Sequence, residues 1–184
     1  MMQEAEVTLV LAHYLLENVL AENRTIRLAI DGAQVAVGGQ VVFPVRDYLL
    51  ERDWVLEGGR GEEWRGSWVK RVEGADWRLQ IDSRPGVGDV VADLNNGQRL
   101  RVESKGGPLA RSRNSTEYRR LREALGQCLT VPTLEPDDLL AVAVPNGERF
   151  SELALQWRER PLVKNLGLRI LLVRPTGEVD GLGL

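Results

Sequence analysis

Alternating apolar and polar positions predict a β-hairpin near the middle of the chain. Residues 89–94 and 98–105 both alternate in this way, with a period of two that is typical of strands. Between them lies Asn95-Asn96-Gly97, and both residue types accept the left-handed backbone that a tight reversal requires. The pattern therefore places two antiparallel strands around a short turn.

Two registers of this hairpin are compatible with the turn. A two-residue loop of Asn96-Gly97 sets Asp89 opposite Ser104, whereas a three-residue loop with Gly97 in the bulge position sets Asp89 opposite Glu103. Only the three-residue loop separates the side chains by polarity, so we predict that register. Its two faces are an apolar one (Val90, Ala92, Leu100 and Val102) and a polar one (Asp89, Asp93, Arg99, Arg101, Glu103 and Lys105).

Downstream of the hairpin, the pattern predicts helix, strand, helix and strand in that order. The first helix is expected to begin at Asn114 as its N-cap, with Glu117 three residues later completing a capping box. Buried strands are predicted over 139–144 and 168–173, and an amphipathic helix over 149–160 lies between them. An α/β fold follows from this order.

Upstream of the hairpin, the pattern predicts an amphipathic N-terminal helix over about 4–22 that packs on the core or on a second copy of the chain. A first core helix is expected over 45–54, and a strand over 77–82 that leads into Arg84-Pro85-Gly86. The stretch 58–66 is expected to be a loop. The four tryptophans at 54, 64, 68 and 77 are expected to be core residues instead of a stacking platform.

Size and composition indicate one domain over 1–184, with a core of about 45–175 and the N-terminal helix as an extension. The first residues lack the basic region of a signal peptide, and no apolar stretch reaches the length of a membrane span. The single cysteine, Cys128, excludes an internal disulfide and favours a reducing, cytoplasmic location. The only histidine, His13, has no Cys or His near it in the sequence, which argues against zinc.

The distribution of charge favours a nucleic-acid surface although the net charge is −3. From residue 99 to residue 122 there are eight basic and two acidic residues, which is the electrostatic pattern that a phosphate backbone attracts. The segment 106–114 is expected to become ordered only when nucleic acid binds. The residues expected to contact nucleic acid are Arg99, Arg101, Arg111, Arg113, Arg119 and Arg120.

The polar face of the hairpin suggests a metal site. Opposed residues of an antiparallel pair have Cβ atoms roughly 4.5–5.5 Å apart, so the carboxylates of Asp89 and Glu103 would repel without a cation. Lys105 projects from the same face but supplies only one ammonium. Two carboxylates, the backbone carbonyl of Ser104 and several waters match what Mg²⁺ prefers.

These residues resemble a known family. Asp89, followed after a hairpin by Glu103-Ser104-Lys105, resembles the PD-(D/E)XK nuclease superfamily, although Gly88 stands where a proline is common. The resemblance implies a restriction-endonuclease-like core, with a central mixed β-sheet flanked by helices. It also implies a Mg²⁺-dependent endonuclease, in which Mn²⁺ can substitute, with DNA as the expected substrate.

The resemblance also assigns roles to single residues. Asp89 and Glu103 would hold the metal, and Lys105 would orient or deprotonate the attacking water. Gln127 matches a glutamine that helps arrange the site in RecB-like members, although Val131 replaces the tyrosine that accompanies it there. Some members carry a further acid on the first core helix, for which Asp47 and Glu51 are the candidates. Many restriction-type relatives form homodimers to cut both strands, but the sequence leaves the assembly open.

Three alternatives remain at this stage. The charged residues of the hairpin could be surface groups that pair with one another and with Arg99 and Arg101. The chain could be a non-catalytic nucleic-acid-binding relative of the same fold. It could also be a protein-interaction module that dimerises through its N-terminal helix.

Overall fold

The computed structural model describes residues 1–20, 25–58, 63–83 and 88–183. Within them the chain is α/β, with one large mixed β-sheet flanked by helices and a separate small hairpin. The helices are α1 (Glu4–Asn18), α2 (Gly32–Val35), α3 (Val45–Leu50), α4 (Thr116–Cys128), α5 (Glu148–Arg158) and α6 (Pro161–Asn165). The strands are β1 (Thr25–Ala29), β2 (Ala36–Val37), β3 (Gln40–Val41), β4 (Val55–Leu56), β5 (Gly66–Val72), β6 (Ala75–Asp82), β7 (Val90–Asp93), β8 (Arg99–Ser104), β9 (Asp138–Pro145), β10 (Arg169–Val173) and β11 (Val179–Asp180).

The large sheet has the strand order β11-β10-β9-β8-β7-β1-β6-β5-β4 among the described residues. Strands β7 and β8 are antiparallel, whereas β8, β9 and β10 are parallel to one another. Each parallel step crosses over through a helix, α4 and then α5, because a parallel neighbour cannot be reached through a tight turn. Strand β1 lies between β7 and β6, antiparallel to the former and parallel to the latter.

The sheet buries its two faces in different ways. On one face, α1 packs over the central strands, and nine of its residues are buried. On the other face, α4 and α5 cover β9, β10 and part of β8, and they enclose a second core cluster with Val142, Ile170 and Leu172. The helix α1 is therefore part of the central core and not a peripheral extension. Because α1 and β1 both belong to this core, the core begins before residue 45, which is where the sequence pattern predicts its start.

The hairpin that the sequence predicts is confirmed in detail. Asp93 pairs with Arg99, Val91 with Arg101 and Val90 with Val102, which is the register of the three-residue loop. Gly97 has φ +85°, as the bulge position requires. The predicted apolar face is buried against α1 and the rest of the main core.

The remaining predicted elements are confirmed, with shifts of a few residues at their ends. The start of α4 was predicted incorrectly, because the helix begins at Thr116 after Ser115, which has a left-handed backbone (φ +50°). Glu117 forms no capping box with Asn114, and its carboxylate instead accepts hydrogen bonds from the amide and hydroxyl of Ser112. Upstream, α3 ends four residues earlier than predicted.

Two predicted features extend beyond the described residues. Arg84-Pro85-Gly86 lies outside them, as do residues 59–62 of the predicted loop 58–66. Trp54, Trp68 and Trp77 are buried in the main core and Trp64 packs against it, as expected. No helix in the described part of the chain is long and apolar enough to cross a lipid bilayer.

Candidate functional site

A cleft of about 350 Å³ opens where the hairpin meets α1 and the end of α4. It brings together Asp89, Glu103, Lys105 and Gln127, four side chains that the sequence singled out. Residues from segments before and after the hairpin complete its walls. These are Glu4, Ala29, Asp31, Gln34, Ser83, Gly88, Thr130, Val131 and Pro132.

The backbone conformation of Gly88 and two hydrogen bonds fix the position of Asp89. Gly88 has φ +137°, and a Cβ atom there would lie 3.2 Å from the carbonyl oxygen of Val102, so neither proline nor a larger residue suits this position. The Asp89 carbonyl accepts a hydrogen bond from the amide of Ala29 (2.9 Å). Its carboxylate Oδ2 accepts one from the amide of Ser104 (2.8 Å). The glycine therefore delivers the aspartate to the edge of the hairpin next to β8.

Glu103 faces Asp89 when the β7–β8 register is continued by one residue. Burial raises the pKa of Glu103 to about 7, and the nearby charge of Asp89 adds to this rise. Burial also raises the pKa of Asp89 to about 6, although the Ser104 amide and Lys105 act in the opposite direction. Two carboxyl groups held close together in a half-buried cleft thus resist being ionised at the same time.

Lys105 is nearly buried, and its ammonium forms an ion pair with Glu4 of α1 (Nζ to Oε1, 2.9 Å). The same carboxylate oxygen accepts a hydrogen bond from Gln34 Nε2 (2.9 Å). Glu4 is therefore a further acid of the cleft, next to Lys105, and the sequence pattern did not identify it. The two residues considered for that role, Asp47 and Glu51, are exposed on α3 and do not line the cleft.

The N-terminal segment is held against the β7–β8 hairpin by its backbone. Met2 and Gly107 exchange two hydrogen bonds (3.0 and 2.9 Å) in an antiparallel bridge. A Cβ atom at Gly106 would lie 2.6 Å from the amide nitrogen of Glu4, so only glycine permits this approach. In the sequence, the pair Gly106-Gly107 directly after Lys105 indicates that another segment passes close to the backbone at this point.

Ser104 and Gln127 contribute less to the cleft than Asp89, Glu103 and Lys105 do. The Ser104 hydroxyl is fully buried, and because side chains alternate along β8 it lies on the face opposite Glu103. Only the backbone of Ser104 is thus on the side of the cleft. Gln127 is exposed on the last turn of α4 at the mouth of the cleft, and Val131 also lines it.

Several of the predicted nucleic-acid contacts have other partners. Arg101 is buried and forms an ion pair with Asp138 (2.7 Å), and it donates to the carbonyl of Thr133 (3.2 Å). The prediction that Arg101 contacts nucleic acid is therefore wrong in this structure, because its guanidinium is buried and bound to Asp138, at the start of β9, and to Thr133, before that strand. Arg99 is exposed but paired with Asp93 (2.8 Å), and Arg111 is paired with Glu152.

Arg113, Arg119 and Arg120 lie at or near the protein surface, within the loop before α4 and on α4 itself. The segment 106–114 is held by the Met2 bridge, by the hydrogen bond from Glu148 to the carbonyl of Leu109 (3.0 Å) and by the Ser112–Glu117 contacts. These contacts favour an ordered segment over the mobile one that the sequence suggested.

The donor set of the cleft suits Mg²⁺. Within the described residues, no group of three or more His, Cys, Asp or Glu side chains is arranged to hold a metal ion. Asp89 and Glu103 nevertheless supply two hard carboxylates, and Mg²⁺ usually takes one or two carboxylates from protein and keeps several waters. A divalent cation would also relieve the repulsion that raises the pKa of Glu103.

Comparisons with known proteins give no family assignment, since no family model, curated protein or solved structure matches this chain.

Proposed function

We propose that this protein is a Mg²⁺-dependent nuclease that hydrolyses phosphodiester bonds, with DNA as its substrate. The observation that carries the proposal is the convergence of Asp89, Glu103 and Lys105 in one cleft, where burial raises the pKa of both carboxyl groups and the charge of Asp89 adds to the rise at Glu103. Carboxylates with perturbed pKa values in a polar cleft are candidates for functional groups. The order of a hairpin followed by helix, strand, helix and strand supports a restriction-endonuclease-like core.

Asp89 and Glu103 would hold the metal ion, together with the backbone of Ser104. When bound, Mg²⁺ lowers the pKa of a coordinated water and stabilises charge on the scissile phosphate. The amide of Ser104 holds the Asp89 carboxylate in place by its hydrogen bond, so one oxygen of that carboxylate is fixed toward the hairpin. The other oxygen is left to face the cleft.

Lys105 supplies the positive charge closest to both carboxylates, and it lowers the pKa of each. Its ammonium can donate to a phosphate oxygen or to the attacking water and so offsets negative charge that grows during the reaction. Glu4 orients this ammonium, and Gln34 orients Glu4. The chain thus presents a fixed cation beside a pair of carboxylates, an arrangement that is suited to metal-dependent phosphodiester hydrolysis.

The proposal is tested with supercoiled plasmid and with a fluorescent single-stranded oligodeoxynucleotide. Each is incubated with the protein in Mg²⁺, in Mn²⁺ and in EDTA. We expect cleavage that depends on the divalent ion and that falls by at least about 100-fold in Lys105→Ala, the range attributed to a positioned catalytic group. Lys164→Ala, which removes an exposed lysine of α6 that pairs with Glu159, is the matched control and should cleave normally.

Undiminished cleavage by Lys105→Ala would overturn the assigned role of the lysine. Binding of the oligonucleotide without any product, in all three ionic conditions, would replace the nuclease proposal by a non-catalytic nucleic-acid-binding domain.

A further inference from the structure

A second cavity, of about 470 Å³, adjoins the proposed active site along α4. The two cavities share Glu4, Lys105, Gln127 and Thr130, so they are parts of one groove. A third depression of about 340 Å³, lined by Arg119, Arg122 and Glu123, lies along the same helix. The proposed site therefore does not end at the carboxylates but opens into a track along α4.

The residues that line this track form one stripe of α4. Arg119 and Arg120, Glu123, and then Gly126 and Gln127 recur at intervals of three and four residues, which puts them on one side of a helix. The buried residues Leu121, Ala124 and Cys128 occupy the other side. At 1.5 Å per residue the stripe is about 12 Å long, which corresponds to about three stacked nucleotides of one strand at ~3.4 Å each.

Gly126 leaves the floor of this groove open. It lies inside a helix, where glycine is among the poorest residues, and no packing explains it because an added Cβ atom would contact nothing within 4 Å. Its backbone does not have a positive φ, so the helix itself does not require glycine. A side chain longer than that of alanine at this position would project into the groove between Arg120 and Gln127.

The charges along the groove suit a phosphate backbone. Arg119 and Arg120 both face the carboxylate of Glu123, at 3.8 and 3.4 Å, and these pairs are substantially exposed. Exposed ion pairs are weak and exchange readily for a stronger partner. Arg119 and Arg120 thus compete for one exposed acid, and Arg122, which lies over the ring of Tyr118, adds a further positive charge to this helix.

We propose that the groove along α4 carries the phosphates that flank the cleaved bond, with Arg120 as a phosphate contact, Glu123 as its competitor and Gly126 as the clearance for the strand. This inference rests on the proposed function, because it takes the strand in the groove to be the one that is cut.

The experiment measures binding of a 5′-fluorescein-labelled single-stranded oligodeoxynucleotide by anisotropy, in Ca²⁺ in place of Mg²⁺ and at several salt concentrations. We expect Arg120→Gln to weaken binding roughly tenfold, as loss of a hydrogen bond between charged groups does, and to lower the salt slope by about 0.7. Glu123→Gln should tighten binding and steepen that slope. Gly126→Glu should weaken binding, whereas Gly126→Ala, the matched control, should bind like the wild type or slightly tighter.

Melting curves of all variants show whether each is folded, and Arg160→Gln, which removes the exposed arginine directly before α6, controls for a general loss of charge. If the wild type binds and cleaves while Arg120→Gln, Glu123→Gln and Gly126→Glu bind as it does, the groove proposal is overturned and the nuclease proposal stands. If the expected changes in binding occur but the wild type never cleaves, the groove is supported and the nuclease proposal fails. A wild type that does not bind the oligonucleotide overturns the groove.

Discussion

The ammonium of Lys105 lies 2.9 Å from the carboxylate of Glu4, a residue 101 positions earlier in the chain. The contact joins the start of α1 to the end of the β7–β8 hairpin, and the lysine side chain is sheltered from solvent. The Met2–Gly107 bridge and the absence of a side chain at Gly106 hold the two segments together. Lys105 is therefore not a free surface lysine but a cation with one fixed anionic partner.

Replacing Glu4 by Ala should mainly lower the rate of nucleic-acid cleavage and have less effect on the free energy of unfolding. Lys105 and Gln34 both lose their acceptor, and the lysine is then free to turn toward Asp89 and Glu103. Misplacement of a catalytic group by about 1 Å costs up to ~100-fold in rate, so we expect kcat to fall by about 10- to 100-fold. Glu4→Gln, which retains a hydrogen-bond acceptor, should recover part of this loss. Equal kcat values for the wild type and Glu4→Ala in oligonucleotide cleavage would refute the positioning role.

Replacing Glu103 by Gln should abolish activity and stabilise the fold at alkaline pH. The pKa of Glu103 is raised to about 7 from an ordinary value of 4.5, mainly by burial. Between these values the folded state binds more protons than the unfolded state, so the stability that Glu103 contributes is lost as pH rises through 7. Solvent reaches this half-buried group and screens the effect, so we expect a gain of about 1 kcal/mol at pH 8.

Urea unfolding of the wild type and Glu103→Gln at pH 8 and at pH 4.5 checks this prediction. The difference in stability should be present at pH 8 and absent at pH 4.5. At pH 8, Mg²⁺ should raise the unfolding midpoint of the wild type and leave that of the variant unchanged, because a ligand that binds only the folded state stabilises it. A variant less stable than the wild type at pH 8 would contradict the prediction.

His13 should make the protein less stable in mild acid. Its Nε2 accepts a hydrogen bond from the indole nitrogen of Trp54 (3.2 Å), and burial, followed by the charges of Lys70 and Arg52, lowers its pKa to about 4. Below pH 6.5 His13 becomes protonated in the unfolded chain, whereas in the folded protein it stays neutral down to about pH 4. The stability contributed by neutral His13 is therefore lost as pH falls from 6.5 to 4, by up to about 3 kcal/mol.

The matched variant is His13→Gln, which cannot titrate. Asp89 and Glu103 change stability in the opposite direction over part of the same range, so only the difference between the two proteins isolates His13. That difference should shrink from pH 7 to pH 4. A constant difference in the free energy of unfolding across this range would show that His13 does not titrate as inferred.

Replacing Arg101 by Met should destabilise the protein without any direct effect on nucleic-acid contacts. The side chains of Arg101 and Asp138 are 6% and 1% exposed, so the variant leaves a buried carboxylate without its partner. Breaking such a pair typically costs about 3–5 kcal/mol, and replacing both partners by apolar residues recovers much of the loss. Chemical unfolding of Arg101→Met, Asp138→Leu and the double variant measures the coupling. Additive losses in the double variant would argue against the pair.

The parts of this protein that depend on local pattern can be predicted from its amino-acid sequence. Alternation along residues 89–105 fixed the hairpin and its register, because a slip of one residue would turn Val90 and Val102 away from the core. The same alternation put Asp89, Glu103 and Lys105 on one edge, and the helical and strand periods after residue 116 gave the order of the later elements.

Which distant segments meet this hairpin depends on how the whole chain folds. No local pattern assigns β1 a place between β6 and β7, pairs Glu4 with Lys105 or buries Arg101 against Asp138. Each of these contacts joins segments that are far apart in the sequence and meet only when the whole core is assembled. The residues around a charged side chain in the sequence do not show whether it will lie in solvent or beside an oppositely charged partner. A sequence pattern predicts structure within one helix, strand or hairpin, whereas the burial and pairing of side chains depend on the assembled sheet.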